Sequence, residues 1–265
     1  MRFAIISPTE GLERFSTRSE VQMVLAHQFV NDYTYAKFYL ERKKQQDFIF
    51  LDNGAYEGAY ESGILLGAME ELKPHVTVLP DVICNRLSTR ISLNFLKEFG
   101  HLNSFGSWMF IPQGDNLFWW EVAAESIPEF LELDPKLWLG LTRFLPTQVD
   151  RTDPLVRVKE AKHIHDKWPN LPIHCMGMAD GDLKELEVLK QQGIIESCDS
   201  SAPVWRGWND VSMTERDVWR KEGKEVRFDA LLTEANLGLI EENLEVVFDA
   251  CGGVQNWPGN KTPDR

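Results

Sequence analysis

Phe48-Ile49-Phe50-Leu51-Asp52-Asn53-Gly54-Ala55-Tyr56-Glu57 is the stretch from which the fold is read. Four apolar residues run directly into a carboxylate, an amide and a glycine, the pattern of a buried strand ending in a polar turn. A helical pattern follows over about 61–73. The same succession recurs along the chain. Apolar runs stand at Phe3–Ile6, Val76–Leu79, Trp108–Ile111, Leu137–Leu141, Ile173–Met176 and Ile194–Cys198. Helical stretches are expected between them over about 20–45, 88–99, 116–131, 154–167 and 182–192, with a last one at 234–249. Asp153-Pro154 reads as an N-cap with proline in the first turn, and Gly100 and Gly193 as left-handed C-caps. In 182–192, Leu183, Leu186 and Leu189 share a face that Lys184, Glu185 and Gln191 avoid.

Repeated strand–helix alternation implies a parallel sheet, and strands apolar on both faces imply a sheet covered on both sides. The expected fold is an α/β, (β/α)8 TIM barrel forming one domain over residues 1–252, with an open doubly wound sheet as second choice. Neither GxGxxG nor GxxxxGK[ST] occurs, which weighs against a nucleotide-cofactor form of the open sheet. Residues 202–232 break the alternation and read as a Trp- and charge-rich insertion (Trp205, Trp208, Arg216, Trp219, Arg220, Lys221) before the final helix. Residues 253–265 read as a flexible tail.

The 265 residues are 43% hydrophobic and 26% charged, as in ordinary globular proteins, and their formal net charge is −13. A non-specific nucleic-acid coat would be basic, so any nucleic-acid contact must come from a local patch. No apolar run exceeds four residues, so neither a signal-peptide core nor a membrane span is expected. Cys84, Cys175, Cys198 and Cys251 form no CxxC pair, and a reduced, cytoplasmic protein is expected.

Chemistry in such folds collects past the C-terminal ends of the strands. There stand Asp52 to Glu57, Pro80-Asp81, Pro112-Gln113-Gly114, Gly140-Leu141-Thr142-Arg143, His174 to Met178 and Asp199-Ser200-Ser201. A single Asp after a strand also serves as an N-cap or turn former; three at one rim are read as a site. His163 and His165 face different sides of a helix, and His27, His75 and His101 read as surface or helix-flank residues. Arg42-Lys43-Lys44 reads as a partner of a helix dipole. Carboxylates without a metal-ligand set suit chemistry at a glycosidic carbon, and an amide with an Asp, a tyrosine and a thioether suits a purine.

At these residues the sequence resembles the tRNA-guanine transglycosylase superfamily, most of all its compact phage-type DNA-guanine transglycosylases. The resemblance runs in order from about residue 48 to 250. Asp52–Glu57 is similar to the family's Asp-Ser-Gly-Gly-aromatic-Gln motif, and Pro80-Asp81 falls where a second base-reading Asp is expected. Gln113-Gly114, Leu139-Gly140-Leu141, His174-Cys175-Met176-Gly177 and Ile194–Pro203 are similar to later motifs, the last of which carries the nucleophile. Thr233–Leu237 is similar to the helix after the family's zinc subdomain. The resemblance implies Asp199 as nucleophile on C1′ and Asp52 as acid/base. It implies Asp81, Gln113 and the Gly140 backbone as readers of the base edge, with Tyr56 and Met176 stacking on its faces and Gly177 in the Met-Gly turn. The implied partners are DNA, with tRNA as alternative, and a free 7-deazaguanine such as preQ0; an inactive base-binding homologue is the other alternative. Asn53, Ala55, Glu57 and Thr142-Arg143 depart from the family pattern and suggest a different incoming base. Phosphate contacts are expected from Arg143 and Arg206, with Trp205 stacking. The 202–232 insertion holds no cysteine or histidine, so no structural zinc and no cofactor are expected.

Overall fold

The structure, a computed structural model, describes residues 1–145, 155–178, 183–214, 232 and 234–253. The expected Asp153-Pro154 cap, Trp219 and the basic residues Arg216, Arg220 and Lys221 lie outside these residues, as does the tail from 254. Eight parallel strands are present: β1 (Arg2–Ile5), β2 (Val21–Leu25), β3 (Phe48–Asp52), β4 (Val76–Val78), β5 (Ser107–Phe110), β6 (Trp138–Thr142), β7 (Ile173–Met176) and β8 (Ser197–Ser200). Their order is β1-β8-β7-β6-β5-β4-β3-β2, and helices lie between successive strands. β1 and β2 come side by side, which brings the sheet round into a nearly closed (β/α)8 barrel.

Side chains bridge the seam between β1 and β2. Ser19 Oγ donates to Phe3 O over 2.8 Å and accepts Val21 N–H over 3.1 Å. These bonds satisfy backbone groups that would otherwise be unpaired in a buried place.

Side chains alternate between two cores. Ala4, Met23, Phe50, Val78, Met109 and Ile111 fill the barrel interior. Ile5, Val24, Leu51, Phe110, Leu139 and Cys175 face the helices. The floor is aromatic: Phe48 stacks on His75 at 4.6 Å, and Trp138 meets Phe48 at 5.6 Å and Phe50 at 5.2 Å. His75, which flanks the helix Ser62–Leu72 as the sequence suggests, is half-buried, and its Nδ1 accepts Ile49 N–H over 3.0 Å. Gly140 leaves room for that interior, since a Cβ there would come within 2.7 Å of Ile111 and 3.0 Å of the Met109 sulfur.

Two expected helices are divided, and the expected insertion opens with a helix of its own. Residues 20–45 divide into β2 and the helices Ala26–Asn31 and Tyr33–Lys44, the latter capped by Asp32, which accepts from Thr34 N–H and Tyr35 N–H. Residues 116–131 divide into Leu117–Ala124 and Ile127–Leu133, because Pro128 lacks an N–H to continue the first helix and suits the opening of a second. The 202–232 insertion opens with the helix Ala202–Trp208; the structure describes it only to 214 and at 232. Gly193 takes the left-handed conformation (φ +67°), whereas Gly100 stays right-handed at φ −55° and leads into a 3-10 turn. Among the described residues no helix is long and apolar enough to cross a membrane.

Candidate active site

A cavity of about 720 Å³ opens at the C-terminal ends of the strands, a size usual for small-molecule sites. Asp52, Asp81 and Asp199 line it together, with Gln113, Tyr56, Met176, Gly177, Arg143 and Trp205. Asp199 and Asp52, the two acids to which the resemblance gives roles, thus share one space.

Asp199 lies inside β8, opposite Ala4 of β1, and is 5% exposed. Its Oδ1 accepts from Gly177 N–H over 3.0 Å and lies 2.9 Å from His174 Nε2. Gly177 has φ +65°, a conformation that L side chains rarely adopt, and that turn aims its N–H at the carboxylate. The imidazole of His174 is fully buried, 4.6 Å from the Phe50 ring, with Nδ1 2.7 Å from Ser197 Oγ. Among the described residues, Oδ2 of Asp199 accepts no hydrogen bond, which leaves it to the cavity.

Asp52 closes β3 and faces the same space. Burial, then the charges of Glu57, Asp199 and Asp81, push its carboxyl well above its ordinary value of 3.8. That shift favours the protonated form, the form able to give a proton to a leaving group. Asp81, past β4, is also raised by burial, while hydrogen bonds from Asn53 and Gln113 work the other way. Asn53 Nδ2 donates to Asp81 Oδ1 (2.9 Å) and to Leu79 O (2.7 Å); Gln113 Nε2 donates to Asp81 Oδ2 (2.7 Å) and Gln113 Oε1 accepts Cys84 N–H (3.2 Å). Asp81 and Gln113 thus form one rigid acceptor–amide edge, fastened to the β3 turn through Asn53.

No protein-family model matches this chain, and no curated protein does. The site therefore has to be read from its own geometry. At the mouth, Tyr56 is 58% exposed, and the guanidinium of Arg143 sits 4.1 Å from its ring centroid and 4.9 Å from that of Phe144. Glu57 stands there too; desolvation on its cavity side and the charge of Asp199 raise it, and Arg143 lowers it. Among the described residues lining the cavity, Arg143 is the single cation. The described residues contain no group of three or more His, Cys, Asp or Glu side chains arranged to hold a metal ion.

Two expected contacts are placed elsewhere. Gly140 sits within β6, packed against Met109 and the cavity-lining Ile111, and is not itself among the described residues that line the cavity. Arg206 is 1% exposed and donates to Ser212 O and Met213 O, so it ties down its own loop instead of facing solvent. His27 lies under the Gly54 turn, where a Cβ on Gly54 would come within 2.8 Å of its Nδ1.

The sequence gives no role to His174 or to the pair Arg157–Glu185, and it marks Asn53 only as a departure from the family pattern. Arg157 makes a two-pronged ion pair with Glu185 (2.8 and 2.6 Å) and donates to Leu141 O (3.3 Å) and Met176 O (3.0 Å), bracing the ends of β6 and β7 behind the site. Glu185, placed off the apolar face by its spacing, is 1% exposed. The signal for His174 is the two-residue strand period, which puts it on the same inward face as Met176.

Proposed function

We propose that this chain is a base-exchange transglycosylase that replaces guanine in DNA by a free 7-deazaguanine of the preQ0 kind. The observation that carries the reading is the pairing in one cavity of Asp199, with one oxygen held and the other open, and Asp52, whose environment favours the protonated acid. In the first step Asp199 Oδ2 bonds to C1′ of the nucleotide. The C1′–N9 pair leaves with the base, and Asp52 gives the base a proton. In the second step the incoming base passes its N9 proton to Asp52 carboxylate and bonds to C1′, and Asp199 is released. Two inversions return the original configuration at the sugar.

Asp81, with Gln113 beside it, offers an edge of acceptors and an amide to the polar rim of a purine-like base. Met176 supplies an apolar wall, and Tyr56 an aromatic one at the mouth. A guanosine in a duplex has to leave the stack to reach the cavity, and its phosphate would meet Arg143, which sits over the Tyr56 ring at the mouth. The net charge of −13 makes that local cation matter.

The test is exchange of labelled guanine out of duplex DNA, single-stranded DNA and tRNA, with and without free preQ0. Label lost from DNA only with the free base present supports the proposal. Loss only from tRNA reassigns the substrate, and loss without any added base indicates hydrolysis. Base binding with no exchange into any substrate indicates a non-catalytic homologue.

A further inference from the structure

Resting on the transglycosylase reading, we propose that His174 is a positioning residue: it holds Oδ1 of Asp199 so that Oδ2 attacks C1′, and it makes Asp199 a competent leaving group in the second step. The parallel register of β7 and β8 places His174 beside Ser197, and the two-residue period then puts Asp199 one step nearer the cavity on the same inward face. The imidazole thus spans the gap from Ser197 Oγ (2.7 Å) to Asp199 Oδ1 (2.9 Å). A carboxylate oxygen only accepts, so Nε2 facing Oδ1 carries a ring proton and donates to it, and Nδ1 pairs with the serine hydroxyl. Gly177 N–H supplies the second donor.

A histidine whose two nitrogens are both satisfied in a core is often only packing. What separates His174 from that case is its partner, one oxygen of a carboxylate whose other oxygen faces the cavity. When the C1′–Oδ2 bond breaks, its electron pair returns to Asp199 and the charge spreads onto Oδ1, where two N–H groups are already in place. Donors preorganised at a site of developing charge stabilise the transition state without reorganisation. Without them the charge returning to Asp199 is less stabilised, so the second step slows and the covalent complex lasts longer.

The experiment compares wild-type protein with His174→Phe, which keeps a ring against Phe50, His174→Gln, which keeps an N–H donor, and Ser197→Ala. Rates are measured against free-base concentration, and the covalent protein–nucleic acid complex is trapped with denaturant. His174→Phe is expected to lower kcat on the order of 100-fold, the usual effect of losing one such donor. KM for the free base should stay within about twofold, because a donor that acts on developing charge contributes little to ground-state binding. The trapped complex should accumulate above the wild-type level. His174→Gln should recover part of the rate, and Ser197→Ala should give a smaller loss of the same kind. Should His174→Phe fail to fold, the other two variants carry the comparison. Variants that match wild type in kcat and in trapped complex, or that lose only KM, overturn the role of His174 while leaving the transglycosylase intact. Wild-type protein with neither exchange nor complex overturns the transglycosylase reading, and this inference with it.

Discussion

Gln113 Nε2 donates to Oδ2 of Asp81 over 2.7 Å, and with Cys84 N–H donating to Gln113 Oε1 it fastens the end of β5 to the segment after β4 within the cavity wall. Gln113 is 1% exposed, so the bond is shielded from water. Replacing Gln113 by Ala leaves that side of a buried carboxylate unsatisfied. Affinity for the free base should fall by about tenfold, corresponding to one buried hydrogen bond of about 1–2 kcal/mol, with a smaller change in kcat. Titration calorimetry with preQ0 and the KM for the base check this. An unchanged affinity would remove Gln113 and its hold on Asp81 from base recognition.

Asp52→Asn should abolish exchange and at the same time stabilise the fold. The folded-state carboxyl is raised above its ordinary 3.8, so the native state binds the proton more tightly than the unfolded chain. Stability is therefore lost as pH rises from 3.8 through the folded value, and the full penalty is present only above that value. The amide removes that penalty. Calorimetry at pH 8 should show a melting temperature higher by about 2–4 °C per kcal/mol recovered, with the difference closing toward acid pH.

His75 acts with the opposite sign. Burial, and then Lys43 beside it, lower its pKa from 6.5 to about 4. Below pH 6.5 the unfolded chain takes up a proton that the native ring refuses, so stability falls between 6.5 and about 4. This contribution is at most about 1.4 kcal/mol per pH unit. His75→Asn, whose side-chain oxygen can accept the Ile49 N–H, should flatten that part of the profile relative to the parent. An unaltered slope in urea titrations across this range would show that His75 is not its source.

The barrel and the carboxylate rim were legible in the sequence because apolar strand runs and polar turns alternate from β3 to β8. β2 was hidden. Val21-Gln22-Met23-Val24-Leu25 is buried on both faces, so it has no period, and it passes into Ala26 with no glycine or proline to mark the end. Polar groups turned inward were equally hidden. Glu185 shares its helix face rule with solvent-exposed acids, and only its partner Arg157, 28 residues away in the chain, makes burial affordable. Arg206 was read as a phosphate contact for the converse reason: a charged residue in a Trp-rich stretch gives no sign that its guanidinium is consumed by the carbonyls of 212 and 213.

Arg157→Leu or Glu185→Leu alone should each destabilise the protein by about 3–5 kcal/mol, since each strands a buried charge. The double variant should lose much less than the sum. Because Arg157 also donates to Leu141 O and Met176 O, the double variant should keep its fold while exchange falls. Urea denaturation of the four proteins together with exchange rates checks both parts. Strict additivity would show that the pair does not act as a unit.

Trapping the covalent complex and locating it by peptide mass analysis tests the proposed chemistry most directly. Wild-type protein quenched during exchange should carry a nucleotide ester on the peptide containing Asp199. Asp199→Asn should form none, while still binding the free base. An adduct that maps to another residue or persists in Asp199→Asn, or sustained exchange by that variant, would contradict Asp199 as the nucleophile.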